Sequence, residues 1–527
     1  MLLRVLAIDC LGAGVSGSRV VTRDVIGVGP RLVVGILEAL KVRVELYQCI
    51  DILRGVVDAP SYDMVLVSGM STDIVSLHRV AKKLKDRTTL VAGGPVSINW
   101  RELLRAGFNY VVVKEAEESL PKLVRLVEGG EDLNIVDIPN LAYVDGGNPR
   151  VTFIKPWLSS PPLWSYMPST RIIRRYPYWW GARVYVEVVR GCSNYFRPKI
   201  KLPDGRMCVE CSSCRNGTLS QRVSCPLDIP PGCGYCTVPS FYGPARSRPE
   251  DLVVSEVRDL IKLGVKRVVL SAPDFLDYGR DLLVAPEPLT DPRSPPPNLR
   301  SIESLLSKLF SIPEVNSGSA YVMIENIKPN LLNDEVAGVL GKYLKGTPVN
   351  LGLETGDPGL HVNIGRPSTV EEVFRAVELL VSYGLKPYVY LIHGLPGETG
   401  ESVRSSLRSV RELSRMGVEK FTLYRFRPLE GSAFEGFPGG KPAVMSWSKE
   451  LYHLVRSLNK LEKKRLIGTE LSVVGVNIAG DAVVAYTLPH GPVVRVLNSG
   501  KEDVGRVFTV RVVNVESDRV VTGLKLS

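Results

Sequence analysis

The distribution of cysteine constrains this chain more than any other feature of its sequence. Seven of the nine cysteines lie between residues 192 and 236, a stretch of 45 residues. Such crowding is typical of metal ligation and differs from scattered core thiols or a disulfide scaffold. We therefore expect the chemistry of the protein to be located in this segment.

Length and charge limit the remaining possibilities. A chain of 527 residues exceeds one ordinary hydrophobic core and predicts several domains. The net charge of +11 favours a polyanionic partner such as RNA, and a basic surface without a partner explains it about as well. The N-terminus lacks the pattern of a signal peptide, and no run of about 18 apolar residues occurs. We expect a cytoplasmic protein without a membrane span, whose thiols stay reduced.

Residues 1–125 predict a doubly wound, Rossmann-like α/β domain with a parallel sheet. Short apolar runs alternate there with segments of helical periodicity. The expected strands are Leu2–Ile8, Arg43–Tyr47, Met64–Ser68, Thr89–Ala92 and Tyr110–Val113. Ligands of such domains bind at the carboxyl ends of the strands, where Ser68, Gly69, Gly93 and Gly94 lie.

The βα alternation resumes after a connector, residues 126–180, that is rich in Pro, Trp and Tyr. Six strand-helix units within 181–445 predict a partial (β/α)6 barrel of the TIM type. The expected strands are Val184–Val189, Arg267–Ser271, Ala320–Ile324, Val349–Leu353, Pro387–Ile392 and Lys420–Arg425. Two insertions interrupt this scaffold, at residues 193–232 and 285–297. A linking helix at 446–465 and a small, OB-like β-barrel at 466–527 complete the chain.

The cysteine segment resembles the radical SAM superfamily. Arg190-Gly191-Cys192 and Cys233-Gly234-Tyr235-Cys236 match the two ends of the Cys-x3-Cys-x2-Cys loop of that family, although 40 residues replace the usual three. Three later segments agree in order with strands of the family's barrel, and they begin at Gly264, Leu351 and Leu391. The resemblance extends over about 240 residues.

The resemblance implies a [4Fe–4S] cluster held by Cys192, Cys233 and Cys236, with its open iron bound to S-adenosylmethionine. An electron donor such as ferredoxin or flavodoxin would be needed to form a 5′-deoxyadenosyl radical. The cofactor-contacting residues expected on this basis are Tyr235, Ser271, Asp274, Glu354, Thr355 and Arg366. The catalytic candidates are Asp274, Tyr278 and Glu325, for which an ordinary loop or capping role is equally compatible with the sequence.

Four further cysteines lie inside the first insertion, namely Cys208, Cys211, Cys214 and Cys225. Their spacing is C-x2-C-x2-C-x10-C, and Pro226 follows the last of them, as in ferredoxin-type loops. Four thiolates suit either a second [4Fe–4S] cluster or a closed tetrahedral zinc site, and a structural loop without metal is the third alternative. We expect Cys10 and Cys49 to pack as buried thiols.

The flanking domains resemble two known modules. Val91–Pro95 and Tyr110–Glu118 are similar to cobalamin-binding domains that precede many radical SAM barrels, but the Asp-x-His-x-x-Gly ligand motif is absent after Asp9. The resemblance makes cobalamin a possible cofactor. If bound, it would lack this histidine as its lower ligand. The tail from Leu466 resembles the TRAM domain, an RNA-binding barrel, in which Lys501, Arg506, Arg511 and Arg519 could contact phosphates.

These resemblances lead to one principal expectation and two alternatives. The principal one is a radical SAM enzyme that methylates or methylthiolates a tRNA or rRNA nucleoside. The first alternative is a radical SAM enzyme acting on a lipid or a peptide. The second is a non-catalytic, metal-stabilised RNA-binding protein with a degenerate barrel.

Overall fold

The computed structural model describes residues 3–10, 24–129 and 133–526. The chain divides into two compact units. The first contains residues 1–186, 241–243 and 251–263, and the second contains the remainder. The loop after the first strand, in which the cobalamin-ligand motif was sought, lies outside the described residues.

A seven-stranded sheet forms the centre of the first unit. The elements of this part of the chain, in order, are β1 (Arg4–Asp9), β2 (Val25–Ile26), α1 (Val28–Ala39), β3 (Arg43–Gln48), α2 (Cys49–Arg54), β4 (Met64–Ser68), α3 (Ile74–Leu84), β5 (Thr89–Gly93), α4 (Trp100–Ala106), β6 (Tyr110–Val112), α5 (Ser119–Val127), β7 (Leu141–Asp145), β8 (Asn148–Val151) and β9 (Arg183–Glu187). The sheet order is β3-β1-β4-β5-β6-β7-β8, and β3 to β6 are parallel as expected.

The sheet extends past the expected domain boundary at residue 125. Strands β7 and β8 fall in the segment interpreted as a connector, and they join the edge of the sheet as an antiparallel hairpin. The turn between them is Gly146-Gly147, with φ values of 54° and 83°. Two successive glycines with positive φ are typical of a two-residue hairpin turn, so the sequence did carry a signal for this hairpin.

The core of the first unit consists of aliphatic side chains from both faces of the sheet. Cys10 and Cys49 belong to it and are 0% and 1% exposed, which confirms their expected packing as buried thiols. A buried ion pair joins Arg31 to Glu256 at 2.7 Å, with neither side chain exposed. Arg31 also donates to the carbonyl of Tyr185 at 2.5 Å, so its charge has two partners.

The second unit contains the remaining barrel strands and the C-terminal tail. The elements that follow β9 are β10 (Val189–Arg190), α6 (Ser213–Asn216), α7 (Val238–Tyr242), β11 (Arg246–Ser247), α8 (Glu250–Lys262), β12 (Arg267–Ser271), α9 (Leu299–Phe310), α10 (Pro313–Asn316), β13 (Tyr321–Ile324), β14 (Asn326–Ile327), α11 (Asp334–Leu344), β15 (Pro348–Glu354), α12 (Pro358–Asn363), α13 (Val370–Ser382), β16 (Lys386–His393), α14 (Gly400–Arg415), β17 (Lys420–Arg425) and α15 (Lys449–Lys464). Most of α8 belongs to the first unit.

Every strand expected for the (β/α) barrel is present. Strands β12 and β13 pair in parallel, as do β14, β15, β16 and β17 in that order. The helices that connect them begin with side-chain caps. Thr369, for example, accepts from the backbone N–H of Glu372 at the start of α13, in a capping box. These features confirm the α/β fold class and place the ends of successive strands at one edge of each sheet.

The tail forms a closed five-stranded barrel, as expected. Its strands are β18 (Glu470–Ala479), β19 (Ala482–Thr487), β20 (Val493–Leu497), β21 (Val507–Val515) and β22 (Val520–Lys525), in the order β18-β19-β20-β22-β21. Valine side chains from every strand fill its interior. The preceding helix α15 coincides with the linking helix expected at residues 446–465.

Candidate iron–sulfur and cofactor sites

The structure brings together the two ends of the cysteine segment in spite of the 40 residues between them. Asn194 contacts both ends, because its backbone N–H donates to Sγ of Cys192 at 3.4 Å and its side-chain amide donates to Sγ of Cys233 at 3.3 Å. The backbone N–H of Val238 donates to Sγ of Cys236 at 3.5 Å. Amide hydrogen bonds to sulfur are a common means of tuning an iron–sulfur cluster.

Burial and mutual repulsion make these thiols weak acids in the absence of a metal. The pKa of Cys192 is raised to about 11, mainly by burial, while Lys328 opposes the rise and Asp277 adds to it. Burial and the neighbouring Cys233 raise the pKa of Cys236 to about 12. Since a metal binds the thiolate form, iron would supply the positive charge that this pocket requires.

A buried ionic network supports the residue that follows Cys192. The ammonium group of Lys328 lies 2.9 Å from Asp274, 2.7 Å from Asp277 and 2.9 Å from Oγ of Ser193. Asp277 also accepts from the backbone N–H and hydroxyl of Ser193, at 3.2 and 2.9 Å, and from Arg280 at 2.5 Å. The four charged side chains are between 0% and 8% exposed. This network fixes the loop that presents Cys192.

A second polar group adjoins Cys233. Nη1 of Arg366 lies 3.7 Å from Sγ of Cys233 and donates to the hydroxyl of Tyr235 at 3.3 Å. The same guanidinium lies 3.6 Å from Glu354 and donates to the carbonyl of Gly352 at 2.7 Å. Burial raises the pKa of Glu354, and Arg366 opposes that rise. Tyr235, Glu354 and Arg366, all expected as cofactor contacts, therefore meet beside the thiols.

The backbone of Glu354 adopts a strained conformation. Its φ of 61° lies in the left-handed region, and the pairing of β15 with β16 shifts register between Gly352 and Glu354. A side chain other than glycine in this region costs on the order of 1–3 kcal/mol, and such residues cluster at ligand sites. The strain therefore supports the interpretation of Glu354 as a binding residue.

The structure separates the other expected site residues into two groups. Glu325 accepts from the hydroxyl of Ser271 at 2.8 Å, and both lie at or just after the ends of neighbouring strands. Thr355 is buried and accepts from the backbone N–H of Asp357 at 3.2 Å. By contrast, Asp274 is buried in the ionic network, and Tyr278 is 4% exposed and stacks on Phe275 with ring centroids 6.4 Å apart. Asp274 shares Lys328 with Ser193 of the cysteine loop, and the catalytic roles of Asp274 and Tyr278 stay predictions.

Sequence reasoning missed three residues that contact the thiols or their loop, namely Asn194, Lys328 and Arg280. Asn194 lies two residues after Cys192, within the segment that separates the first two cysteines of the family loop, and this position could have drawn attention to it. Lys328 follows the end of β14. Functional residues of such barrels lie at the carboxyl ends of the strands, so this position could also have drawn attention to Lys328.

The four cysteines of the insertion surround a cavity of their own. Its volume is about 360 Å³, and Arg197 completes its wall together with apolar side chains. The described residues contain no group of three or more cysteine, histidine or carboxylate side chains arranged around a single ion. Cys208, Cys211, Cys214 and Cys225 do line one cavity, and the expectation that they share a metal stays a prediction.

A further cavity lies at the carboxyl ends of the strands in the first unit. Its volume is about 490 Å³, and Ser68, Gly93 and Gly94 line it together with apolar side chains of β1, β4 and β5. A Cβ atom at Gly94 would lie 2.9 Å from the carbonyl of Gly69, so the two chain segments approach as closely as glycine allows. The four residues expected from the sequence therefore meet at one place.

A sequence model of the radical SAM superfamily matches residues 223–410. The chain belongs to this superfamily. Its members use a [4Fe–4S] cluster and S-adenosylmethionine, and Cys192, Cys233 and Cys236 would supply three thiolates to such a cluster. Two relatives match this chain over nearly their whole length. One is an uncharacterized protein of Methanopyrus kandleri, 41% identical over 98% of this chain and 95% of its own, and the other is an uncharacterized protein of Methanocaldococcus jannaschii, 36% identical over 97% and 96%.

Characterised relatives match this radical SAM protein over shorter segments or at lower identity. The ribosomal protein uS12 methylthiotransferase RimO of Geobacter sulfurreducens is 32% identical over 35% of this chain and 39% of its own. The solved radical SAM methyltransferase TsrM of Kitasatospora setae, with cobalamin and a [4Fe–4S] cluster bound, has a TM-score of 0.55 at 17% identity and covers 82% of this chain and 77% of its own. The cobalamin-dependent radical enzyme OxsB has a TM-score of 0.55 at 12% identity and covers 88% and 56%. These structures show that the fold is shared.

Helices of the described residues are too short or too polar to cross a membrane.

Proposed function

We propose that this radical SAM protein methylates an unactivated carbon of a tRNA or rRNA nucleoside in the cytoplasm, using cobalamin. The observation that carries the proposal is the contact of Asn194 with Cys192 and Cys233, which makes one site of cysteines far apart in sequence. A [4Fe–4S] cluster bound there would supply the electron that cleaves S-adenosylmethionine. The residues of the chain would hold the cluster, orient the substrate and exclude water.

Three residues fit the binding of S-adenosylmethionine beside the cluster. Arg366 and Glu354 present opposite charges 3.6 Å apart near Cys233, and Tyr235 lies within hydrogen-bond reach of the arginine. The cofactor carries both a carboxylate and an ammonium group, so a guanidinium and a carboxylate can each pair with one of them. Glu354 is held in place by its strained backbone, which pre-orients it for such a contact.

The cavity of the first unit fits part of a cobalamin molecule. Its apolar wall is typical of a cofactor site, and its place at the strand ends is the usual one in this fold. The solved TsrM and OxsB structures contain cobalamin, which supports the same assignment here. Bound cobalamin would supply a methyl carrier, and no described residue is assigned as its lower ligand.

Filling this cavity should prevent cobalamin binding. A Cβ atom at Gly93 meets only the carbonyl of Val112, at 3.9 Å, so the backbone tolerates a side chain whose ring enters the cavity. We expect Gly93→Phe to lose cobalamin after reconstitution and Gly93→Ala to retain it, as measured by the visible absorption of gel-filtered protein. Equal cobalamin content in both variants would exclude this cavity as the site.

The C-terminal barrel supports an RNA substrate. Lys501, Arg506, Arg511 and Arg519 are all exposed, although Arg511 pairs with Glu470 at 3.0 Å. Exposed cations on a small β-barrel are typical of proteins that track a nucleic-acid backbone. Arg506 and Arg519 lie just before β21 and β22 and are the strongest candidates for phosphate contact.

Charge reversal at these two positions should weaken RNA binding. We expect Arg506→Glu with Arg519→Glu to lower affinity for tRNA by about tenfold or more and to reduce the salt dependence of binding by about one to two ion equivalents. Lys342→Glu reverses one charge on the exposed face of α11, half the charge change of the double variant, and serves as the control for charge reversal away from the barrel. Filter retention across a salt series measures both quantities. Unchanged binding by the double variant would argue against this barrel as the RNA-binding surface.

A protein substrate is the second candidate. RimO, as its name states, acts on a ribosomal protein, and its match with this chain at 32% identity is the observation that favours a peptide. Mass spectrometry of tRNA and rRNA nucleosides and of ribosomal proteins, from a deletion strain and its parent, decides between the two. A missing nucleoside modification supports the proposal, and a missing peptide modification replaces it.

A further inference from the structure

The four cysteines of the insertion form a site that is separate from the thiols around Asn194. We propose that Cys208, Cys211, Cys214 and Cys225 hold a second [4Fe–4S] cluster that passes electrons to the first. The metal site stands on its own geometry, whereas its role as an electron relay rests on the proposed function of the receiving site.

The lining of the site and the sequence pattern favour a cluster over a single structural ion. The four thiols line one cavity, whose wall also includes Val209, Leu227 and Ile229. Apolar walls around four thiolates, a C-x2-C-x2-C run and a terminal Cys-Pro are typical of ferredoxin-type clusters.

Arg197 gives this site a fixed, positively charged wall. Its guanidinium donates to the carbonyls of Arg222 at 2.7 Å, Val223 at 3.0 Å and Ile229 at 3.2 Å, and also to that of Tyr195. The side chain is 2% exposed. A buried cation that is anchored by carbonyls of the same loop offsets part of the negative charge of a four-thiolate cluster. The insertion is therefore built around its metal site and is not an unstructured loop.

Four-thiolate ligation leaves every iron of the cluster without an open position. Such a cluster can exchange electrons but cannot bind a substrate or an added sulfur at iron, in contrast to the three-thiol site. Cys211 is the exposed member of the set, so a soluble donor can approach the cluster from solvent. The thiol Cys233 of the receiving site is buried.

A short series of contacts connects the two sites. Arg215, next to Cys214, lies over the ring of Phe196 at 4.2 Å from its centroid. The backbone N–H of Phe196 donates to the side chain of Asn194 at 3.2 Å, and Asn194 contacts Cys192 and Cys233. Since only four residues lie between Cys192 and Arg197, their Cα atoms are at most about 18 Å apart.

The proposed step transfers one electron and changes no bond. A reduced ferredoxin or flavodoxin would donate one electron to the second cluster and convert it from the 2+ to the 1+ state. That cluster would return to 2+ as the electron passes to the first cluster, which becomes 1+. No proton is taken up or released, and the external donor is oxidised by one electron.

Metal analysis of anaerobically purified full-length protein tests the site. Two [4Fe–4S] clusters require about eight iron atoms per chain. We expect about four to remain in the variant Cys208→Ala with Cys214→Ala, and about four in Cys192→Ala with Cys233→Ala. Cys49→Ala, a buried cysteine of the first unit, should keep all eight. One zinc per chain, lost with the first pair of substitutions, would overturn the second cluster and leave the first unaffected.

Rapid-freeze electron paramagnetic resonance tests the relay. We expect Cys208→Ala with Cys214→Ala to slow reduction of the first cluster by reduced flavodoxin by about tenfold or more, while dithionite still reduces it. Phe196→Leu keeps every cysteine and should slow the same step, which guards against a folding defect. Reduction by flavodoxin at the wild-type rate in both variants would overturn the relay. Failure of dithionite-reduced wild-type protein to cleave S-adenosylmethionine would instead count against the proposed function, whatever the iron content.

Discussion

Lys328→Met is expected to lower the free energy of unfolding by about 3–5 kcal/mol, because it leaves buried carboxylates without their cation. Lys328 is 7% exposed and lies within 2.9 Å of Asp274 and Asp277. Asp277 keeps Arg280, at 2.5 Å, but Asp274 would keep only backbone N–H donors. Urea unfolding of the full-length protein at pH 7 measures the loss.

The control for this variant is Lys342→Met. Lys342 pairs with Glu303 at 2.8 Å, but their side chains are 59% and 45% exposed. An exposed pair contributes about 0–1 kcal/mol, so this variant should unfold close to wild type. Equal losses in the two variants would show that the Lys328 network does not stabilise the protein more than a surface pair does.

The loss of unfolding free energy caused by Lys328→Met should become smaller as the pH falls. Burial already raises the pKa of Asp274 in the wild type, where Lys328 opposes the rise, so removal of Lys328 raises it further. A carboxyl whose pKa is higher in the folded than in the unfolded state is penalised fully above its folded-state pKa. The penalty disappears as the pH falls toward the ordinary value of about 4. Unfolding at pH 7 and pH 5 should therefore show a smaller difference from wild type at the lower pH.

The strands of both units could be predicted because each is a short apolar run of the right length. The buried residues of β4 and β12 are read directly as strand core, and the structure places them there. The hairpin β7–β8 escaped prediction because β8 contains Asn148, Pro149 and Arg150, and both strands lie in a segment rich in Pro and Trp. Only the Gly146-Gly147 turn identified it.

The direction of side chains at the strand ends could not be predicted. Asp274 and Glu325 both follow barrel strands, yet one is buried against Lys328 and the other accepts from Ser271. The partner that decides between these outcomes comes from another strand, and residue spacing along one strand carries no information about it. The same reason explains why Asn194 was missed, since its contact with Cys233 bridges 39 residues.

Cys233→Ala is expected to abolish cleavage of S-adenosylmethionine and to remove the iron held with Cys192 and Cys236. The variant leaves only two thiolates for the cluster. No described neighbour replaces the missing ligand, because the polar groups beside Cys233 are Asn194 and Arg366. Both are nitrogen donors and cannot take the place of a thiolate. Iron and sulfide analysis measures the cluster, and release of 5′-deoxyadenosine or S-adenosylhomocysteine measures cleavage.

Cys49→Ala separates loss of a ligand from loss of a thiol. Cys49 is 1% exposed in the core of the first unit, and its replacement removes one buried sulfur atom at a cost of about 1 kcal/mol. This variant should keep its iron and its cleavage of S-adenosylmethionine. If Cys233→Ala retained both as well, Cys233 would not be a cluster ligand. The match of Cys233-Gly234-Tyr235-Cys236 to the family loop would then not reflect cluster binding. Loss of both in Cys233→Ala alone would show that the 40-residue insertion leaves the three-thiol site of the superfamily intact.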